Sequence, residues 1–342
     1  MKLYMPERVI FDPKSLEYPL GMELYNTFQN YNIETIKASI RNASRYIPGD
    51  TPQSQYAHSK KTIVVTIMKE KELDVCKPSA DFEFSLVGNC PGNCEYCYLQ
   101  TTQGRKPFIR IFVNLDNIFD LIKEYIKKNE EKITTFEAAS LGDPLALEHF
   151  TGSLAKTIEF FGTLKNGRLR VVTKFSNVDL LLDLEHNNHT HFRVSINSEY
   201  IVKNFEHTTA SLDERLEASV KLSKAGYPIG FVIAPIMRYE GWKEEYSALF
   251  ERIRNQLGSE ISNKEITFEL IQHRFTSAAK KLILERFPKT RIDLNEEKRL
   301  LKWGKYGRYK YVYPKEKATE IKEYISSKIK ERFPNSIIEY FT

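Results

Sequence analysis

Cysteine is scarce in this 342-residue sequence: there are four, and three of them fall within positions 90–97. A disulfide framework spreads its cysteines along the chain, so the pattern excludes one and predicts a protein of the reducing cytoplasm. Long apolar runs are also missing. Charges interrupt every apolar stretch within a few residues, which excludes a membrane-spanning helix. The opening Met1-Lys2-Leu3-Tyr4 has neither an apolar segment nor a cleavage-site pattern, so no signal peptide is predicted. There is no low-complexity tract and no short repeat. Nor is there a strong charge of one sign: 51 Lys+Arg stand against 45 Asp+Glu, for a net +6. That bias does not by itself argue for nucleic acid, and where the charge sits matters more. The chain is 41% hydrophobic, enough to bury a sizeable core with one or two small appendages.

What the sequence does have is a rhythm of strand and helix. Phe82 to Val87 alternates like a strand and runs straight into the cysteines. Ile118, Leu121, Ile122, Tyr125 and Ile126 then recur at helical spacing. Strands are expected at Ile133–Ser140, Leu169–Lys174, His191–Ile196, Ile229–Ile236 and Ile266–Gln272. Helices are expected around Leu154, Ile158 and Phe161, over Val178–Leu184, and over Trp242–Leu257. Ser211-Leu-Asp-Glu214 is a capping box for a helix that stops at Gly226. Six strands alternating with helices predict parallel βα units with right-handed crossovers. Such units curl into a partial (βα)6 TIM-like barrel whose chemistry sits at the C-terminal strand ends; an open doubly wound sheet is the alternative. Pro-punctuated residues 1–80 read as an N-terminal subdomain, 81–275 as the barrel, and 276–342 as a basic C-terminal helical segment.

Cys90-Pro-Gly-Asn-Cys94-Glu-Tyr-Cys97 is C-x₃-C-x₂-C. Three thiolates this close can hold one metal centre, and sulfur suits zinc or an iron–sulfur cluster. Cys76 lies 14 residues upstream and could complete a Cys₄ zinc site. The x₃–x₂ spacing departs from the paired C-x₂-C hooks of zinc ribbons. A cubane held by three cysteines keeps one iron open, which points to catalysis. Polar or small residues close each strand: Gly142-Asp143-Pro144 after the second, Lys174 after the third, Ser195 and Asn197 at the fourth, Ala234 at the fifth and Gln272-His273 at the sixth.

The cysteine motif at the end of a first strand resembles the radical S-adenosylmethionine superfamily. There the cofactor's amino and carboxylate groups chelate the open iron of a [4Fe-4S] cluster, and Gly142-Asp143 takes the place of the motif that binds the amino group. Cys-Pro-Gly-Asn-Cys-Glu-Tyr-Cys-Tyr-Leu-Gln (90–100), Glu206-His207-x-Thr-x-Ser211-Leu and Gln272-His273-Arg274-Phe275-Thr276 are similar to the spore photoproduct lyase family, along with the Tyr-rich stretch after 300. The resemblance spans essentially the whole chain. It implies a cytoplasmic carbon–carbon lyase of the spore core that repairs a thymine-dimer photolesion in DNA, supplied with electrons by a donor such as flavodoxin or ferredoxin. Cys90, Cys94 and Cys97 would hold the cluster. Gly142, Asp143, Lys174, Ser195, Asn197, Ala234 and Tyr96 would bind S-adenosylmethionine. A 5′-deoxyadenosyl radical would take hydrogen from C6 of the lesion. After β-scission a second-strand cysteine would quench the product radical, and Tyr96 and Tyr98 would relay the radical back.

The donor position departs from the family. The expected cysteine falls within Phe136–Ser140, and the residue there is Ser140. A hydroxyl hydrogen is held too tightly to quench an allylic carbon radical. Exchange of sulfur for oxygen at nearly constant shape is what an engineered trap for this step would look like. Cys76 is the other thiol; it precedes the first strand and is not expected to substitute in place.

From 302 to 317 the basic residues Lys302, Lys305, Arg308, Lys310, Lys315 and Lys317 face one acid, Glu316. Trp303, Tyr306, Tyr309, Tyr311 and Tyr313 interleave them, and Gly304 and Gly307 suit a tight turn. The segment reads as a β-hairpin, with Arg308 and Lys310 on one face and tyrosines on the other. Lys302, Lys305, Tyr306, Arg308, Tyr309 and Lys310 are the candidate DNA contacts. Two rivals stand beside this reading: a superfamily enzyme acting on another substrate, and a zinc-dependent nucleic-acid-binding module without catalysis.

Overall fold

The computed structural model of the chain describes residues 2–69, 71–99, 104–304 and 308–342, without the Arg308 side chain. The fold is mixed α/β, of the partial-barrel class. Contacts divide it into two compact units, Met1–Gly92 with Thr102–Phe192, and Asn93–Thr101 with Arg193–Thr342.

The first unit holds β1 (Arg8–Phe11), β2 (Glu34–Lys37), β3 (Thr62–Thr66), β4 (Asp74–Val75), β5 (Phe82–Glu83) and β6 (Val87–Gly88). β7 (Asn93–Cys94) belongs to the second unit, and β8 (Ile109–Phe112), β9 (Thr134–Glu137) and β10 (Gly167–Thr173) to the first. β1, β2, β3 and β8 pair in parallel in the order β2-β1-β3-β8, and β6 closes that sheet antiparallel to β8. β4, β5, β9 and β10 form a second sheet in chain order, parallel from β5 onward. The expected strand 82–87 is therefore two strands. Its first half pairs with β9 and its second with β8, so one alternating run serves two sheets. The helix Leu115–Lys127 forms as expected, burying Leu115, Ile118 and Ile122 along one stripe. The expected helix 178–184 is instead a single 3₁₀ turn, Asp179–Leu181. Val178 and Leu181 are both buried, and their three-residue spacing is what a 3₁₀ turn aligns.

β11 (Thr190–Ile196) starts in the first unit and ends in the second. The second unit continues with β12 (Glu206–His207), β13 (Ile229–Ile236), β14 (Thr267–Gln272), β15 (Leu300–Gly304), β16 (Arg308–Val312) and β17 (Ile337–Phe341). β13, β14 and β17 are parallel neighbours, and β13 sits beside β11. The Ser211 capping box is formed on the helix Leu212–Lys224, and Gly226 beyond it takes φ 92°. The helix starting at Trp242 runs to Ser262 through a break at Gly258. β17 and the helix Glu199–Phe205 were not expected. Among the described residues no helix is long and apolar enough to cross a membrane.

Candidate active site

In the first unit, the chain leaving β6 lies against the loop that follows β9. Asn89 bridges to Gly142, and its N–H donates to the Leu141 carbonyl at 2.5 Å. The approach demands glycine: a Cβ at Gly142 would stand 2.6 Å from the Asn89 oxygen and 2.7 Å from that of Val87. The first cysteine and the Gly-Asp pair are thereby brought together. Cys90 is half-buried. Lys60, itself buried, donates its ammonium to the Cys90 carbonyl (2.8 Å) and to Asn89 Oδ1 (3.1 Å). The ammonium is thereby fixed at the backbone of the first cysteine. Nothing in the sequence marks Lys60 for this, because it ends a helix 30 residues upstream of Cys90.

Asp143 is buried, and its carboxylate accepts from Thr173 Oγ1 (2.9 Å) and the Lys174 N–H (3.0 Å). Burial pushes its pKa up to about 6 against the pull of those donors. The carboxylate thus ties the loop after β9 to the end of β10, where Lys174 sits. Ser140, half-buried, lies three residues beyond β9. Cys76 sits in the turn between β4 and β5, half-buried, its carbonyl accepting from Ser79 N–H (3.0 Å) and Ala80 N–H (3.2 Å). That turn is pinned to β9. Asp81 exchanges bonds with Thr135, and Ser79 Oγ donates to Glu137 Oε2 (3.1 Å) while Glu137 Oε1 accepts from Ala139 N–H (3.2 Å). One buried carboxylate therefore joins the Cys76 turn to the residue before Ser140.

In the second unit, β7 and β12 pair antiparallel, Cys94 opposite Glu206 and Asn93 opposite His207. Cys94 is buried and Cys97 half-buried, with Cys97 N–H donating to the Cys94 carbonyl at 3.2 Å. The half-buried Tyr96 donates its phenol hydrogen to Glu206 Oε1. Burial, then the Glu206 and Cys94 charges, push that phenol well above its ordinary pKa, so it stays protonated. Tyr98 is 61% exposed. At the end of β11 the Ser195 carbonyl accepts from Arg215 Nη1 (3.0 Å). Asn197 is fully buried: its amide donates to the Pro235 carbonyl (2.8 Å) and accepts from Ser198 N–H (3.0 Å) and Tyr246 Oη (2.8 Å). It clamps β11 to β13 beside Ala234, where the β13–β14 register shifts. His273 is buried against Arg299, and burial followed by that charge lowers its pKa to about 3, so the ring is neutral.

β15 and β16 form the expected hairpin, with Lys302 opposite Lys310 and Trp303 opposite Tyr309. Trp303 (61%) and Tyr309 (53%) are exposed and meet edge to face at 4.8 Å. Tyr311 stacks on Phe275 at 5.3 Å, and Tyr313 is buried under the Arg299 guanidinium. Among the described tyrosines of the segment, Tyr309 remains on the surface while Tyr311 and Tyr313 pack inward. Lys305, Tyr306 and the Arg308 side chain lie outside the described residues.

The sequence model of the spore photoproduct lyase family matches residues 4–342. The chain is 48% identical over 343 residues to the spore photoproduct lyase of Geobacillus sp. (strain Y412MC61), covering 100% of both. It is 47% identical to that of Bacillus subtilis (strain 168), covering 99% of both. A solved structure of a spore photoproduct lyase mutant with bound AdoMet and dinucleoside spore photoproduct superposes with a TM-score of 0.97, at 48% identity and 100% coverage of both chains. In that mutant a cysteine was changed to alanine and a serine to cysteine, at the numbers that Ser140 and Cys76 carry here.

Proposed function

The chain belongs to the spore photoproduct lyase family, and we infer from that membership and from its site that it is a radical S-adenosylmethionine lyase reverting spore photoproduct in DNA to two thymines. The observation that carries the reading is the three-cysteine run leaving a strand that lies against Gly142 and Asp143. Cys90, Cys94 and Cys97 hold a [4Fe-4S] cluster. Gly142, Asp143, Lys174, Ser195, Asn197, Ala234 and Tyr96 line the S-adenosylmethionine edge. Of these, Asp143 and Asn197 act by shaping the strand ends, since their polar atoms are engaged by protein donors and acceptors. When bound, the cluster and cofactor supply the 5′-deoxyadenosyl radical that takes hydrogen from C6 of the saturated ring.

The chain must itself deliver one hydrogen atom to the thymine methylene radical left after scission. Ser140 does not, because its O–H bond is stronger than the C–H bond formed. Cys76 is the thiol that remains once three cysteines are assigned to the cluster. We assign the transfer to it: its S–H bond breaks as the thymine C–H bond forms, the sulfur radical takes a hydrogen atom by way of Tyr98 and Tyr96, and the tyrosine would be restored by a hydrogen atom from 5′-deoxyadenosine, returning the radical to the cofactor. Two features support this: the Glu137 bridge from the Cys76 turn to Ala139, and the paired changes made at the same two numbers in a relative. Serine at 140 and cysteine at 76 then belong together, as one relocated donor.

Lys302, Tyr309 and Lys310 of the hairpin contact the DNA, Lys305, Tyr306 and Arg308 being the candidate contacts outside the described residues, and a donor such as flavodoxin or ferredoxin reduces the cluster in the cytoplasm of the spore. The test is anaerobic reconstitution with iron and sulfide, then incubation with S-adenosylmethionine and an oligonucleotide bearing spore photoproduct. Mass spectrometry should show restored thymine, absent when S-adenosylmethionine is omitted. Restoration without it, or cofactor cleavage without restoration, would refute the reading.

A further inference from the structure

Resting on that reading, we propose that Arg215 and Glu206 are positioning residues that fix Tyr96 and the Cys94–Cys97 loop to the end of β11. The loop is gripped four times by one short segment. Its backbone pairs with β12, Glu95 N–H donates to the Phe205 carbonyl at 2.9 Å, and two side-chain contacts flank the pairing. One is Tyr96 to Glu206; the other is His207 Nε2 with Glu95 Oε1 at 2.8 Å.

Glu206 does not end the chain of contacts. Its second oxygen meets Arg215 Nη2 at 2.6 Å, and both side chains are fully buried. Arg215 is anchored around it as well, with Nε donating to the Ala210 carbonyl (2.9 Å), Nη1 to the Ser195 carbonyl (3.0 Å) and Nη2 to Thr209 Oγ1 (2.8 Å). A planar fork held at four points cannot be replaced by the single point charge of lysine. Ser195 closes β11 on the cofactor edge, so one buried ion pair sets the place of the cysteine loop relative to a strand end that flanks the cofactor. A charge pair buried this completely is weak as a source of stability and well suited to specifying one arrangement.

The test uses the metal-free protein, so it does not depend on lyase activity and can fail or succeed apart from it. Amide hydrogen exchange is followed at residues 94–97 and, as a reference, along β13. The variants are Tyr96→Phe, which deletes only the phenol oxygen, and the charge-free pair Glu206→Gln with Arg215→Met, which leaves no unpaired buried ion. We expect exchange at 94–97 to rise about tenfold or more in both, with β13 unchanged, because a local tether opens without global unfolding. Arg215→Lys should fail to restore protection. In reconstituted protein, the electron paramagnetic resonance signal should broaden in the same variants when S-adenosylmethionine is added. Equal loosening of β13 would reduce the pair to general stability and overturn the proposal. So would unchanged exchange at 94–97, or full protection with lysine at 215.

Discussion

Ser140 and Cys76 carry the sharpest consequence at the scale of single residues. Neither hydrogen abstraction from C6 nor scission of the linking bond needs a thiol; quenching does. Replacing Cys76 by Ala should therefore leave cofactor cleavage intact while the product radical survives to meet small molecules. With dithionite as reductant, mass spectrometry of the digested product should show a thymine sulfinate adduct in place of much of the thymine. Ser140→Ala should still give clean thymine, and Ser140→Cys in the Cys76→Ala background should recover it. Clean thymine from Cys76→Ala would remove Cys76 from the pathway. The Cys90–Cys97 run stands out by its spacing, whereas Gly142-Asp143 reads as a plain turn until the family resemblance is set beside it. The attachment of the Cys76 turn to β9 was not legible, because its order before the first strand gives no hint that Asp81, Ser79 and Glu137 bond it there. Lys60 and Arg215 were hidden for the same reason: Lys60 reaches Cys90 across 30 residues of sequence and Arg215 reaches Ser195 across 20.

Individual elements were legible where one partner explains the pattern. β13 and the Ser211-capped helix follow directly from alternation and from a four-residue cap. Residues 82–87 were not, since their partner changes midway, and β17 pairs with β14 across most of the C-terminal segment, where no local rule points to it. The helix Ser153–Thr163 offers a test of an element held by a distant side chain. It lacks a side-chain bond from its N-cap, Gly152. Instead Glu148 accepts from the N–H groups of Leu154 and Ala155, each at 2.8 Å. Burial nevertheless raises the Glu148 pKa to about 7, above its ordinary 4.5. A carboxyl raised in the folded state favours its protonated form there. Its contribution is full below about pH 4.5 and is lost as pH rises through about 7, by up to roughly 3 kcal/mol at 1.36 kcal/mol per unit. Glu148→Gln should accordingly be less stable than the parent at pH 5, with the gap closing or reversing by pH 8. Urea unfolding at both values measures it; parallel profiles would show that the carboxyl does not titrate with folding.

For the molecule as a whole, a net charge of +6 in 342 residues is too diffuse to select DNA, so its placement has to do so. The hairpin sets Lys302 directly across from Lys310, and like charges facing each other in an antiparallel pair cost stability. Burial and the neighbouring Arg274 charge both lower the Lys310 pKa, the direction expected of an ammonium set among cations. Beside them Trp303 and Tyr309 leave broad ring surface in water. A phosphate backbone would relieve the repulsion, and the rings would supply the apolar wedge that kinked or unstacked duplex accepts. Each phosphate contact contributes about 0.9 to the slope of log binding constant against log salt. Replacing Lys302 and Lys310 together by Ala should thus weaken binding of lesion-bearing duplex and reduce that slope by up to about two units. The double variant should also unfold no more readily than the parent, because an unfavourable pair is removed. S-adenosylmethionine cleavage without DNA should be unchanged. Fluorescence anisotropy across a salt series decides it: an unaltered slope would show that these two lysines meet solvent rather than phosphate, and that the duplex is held elsewhere.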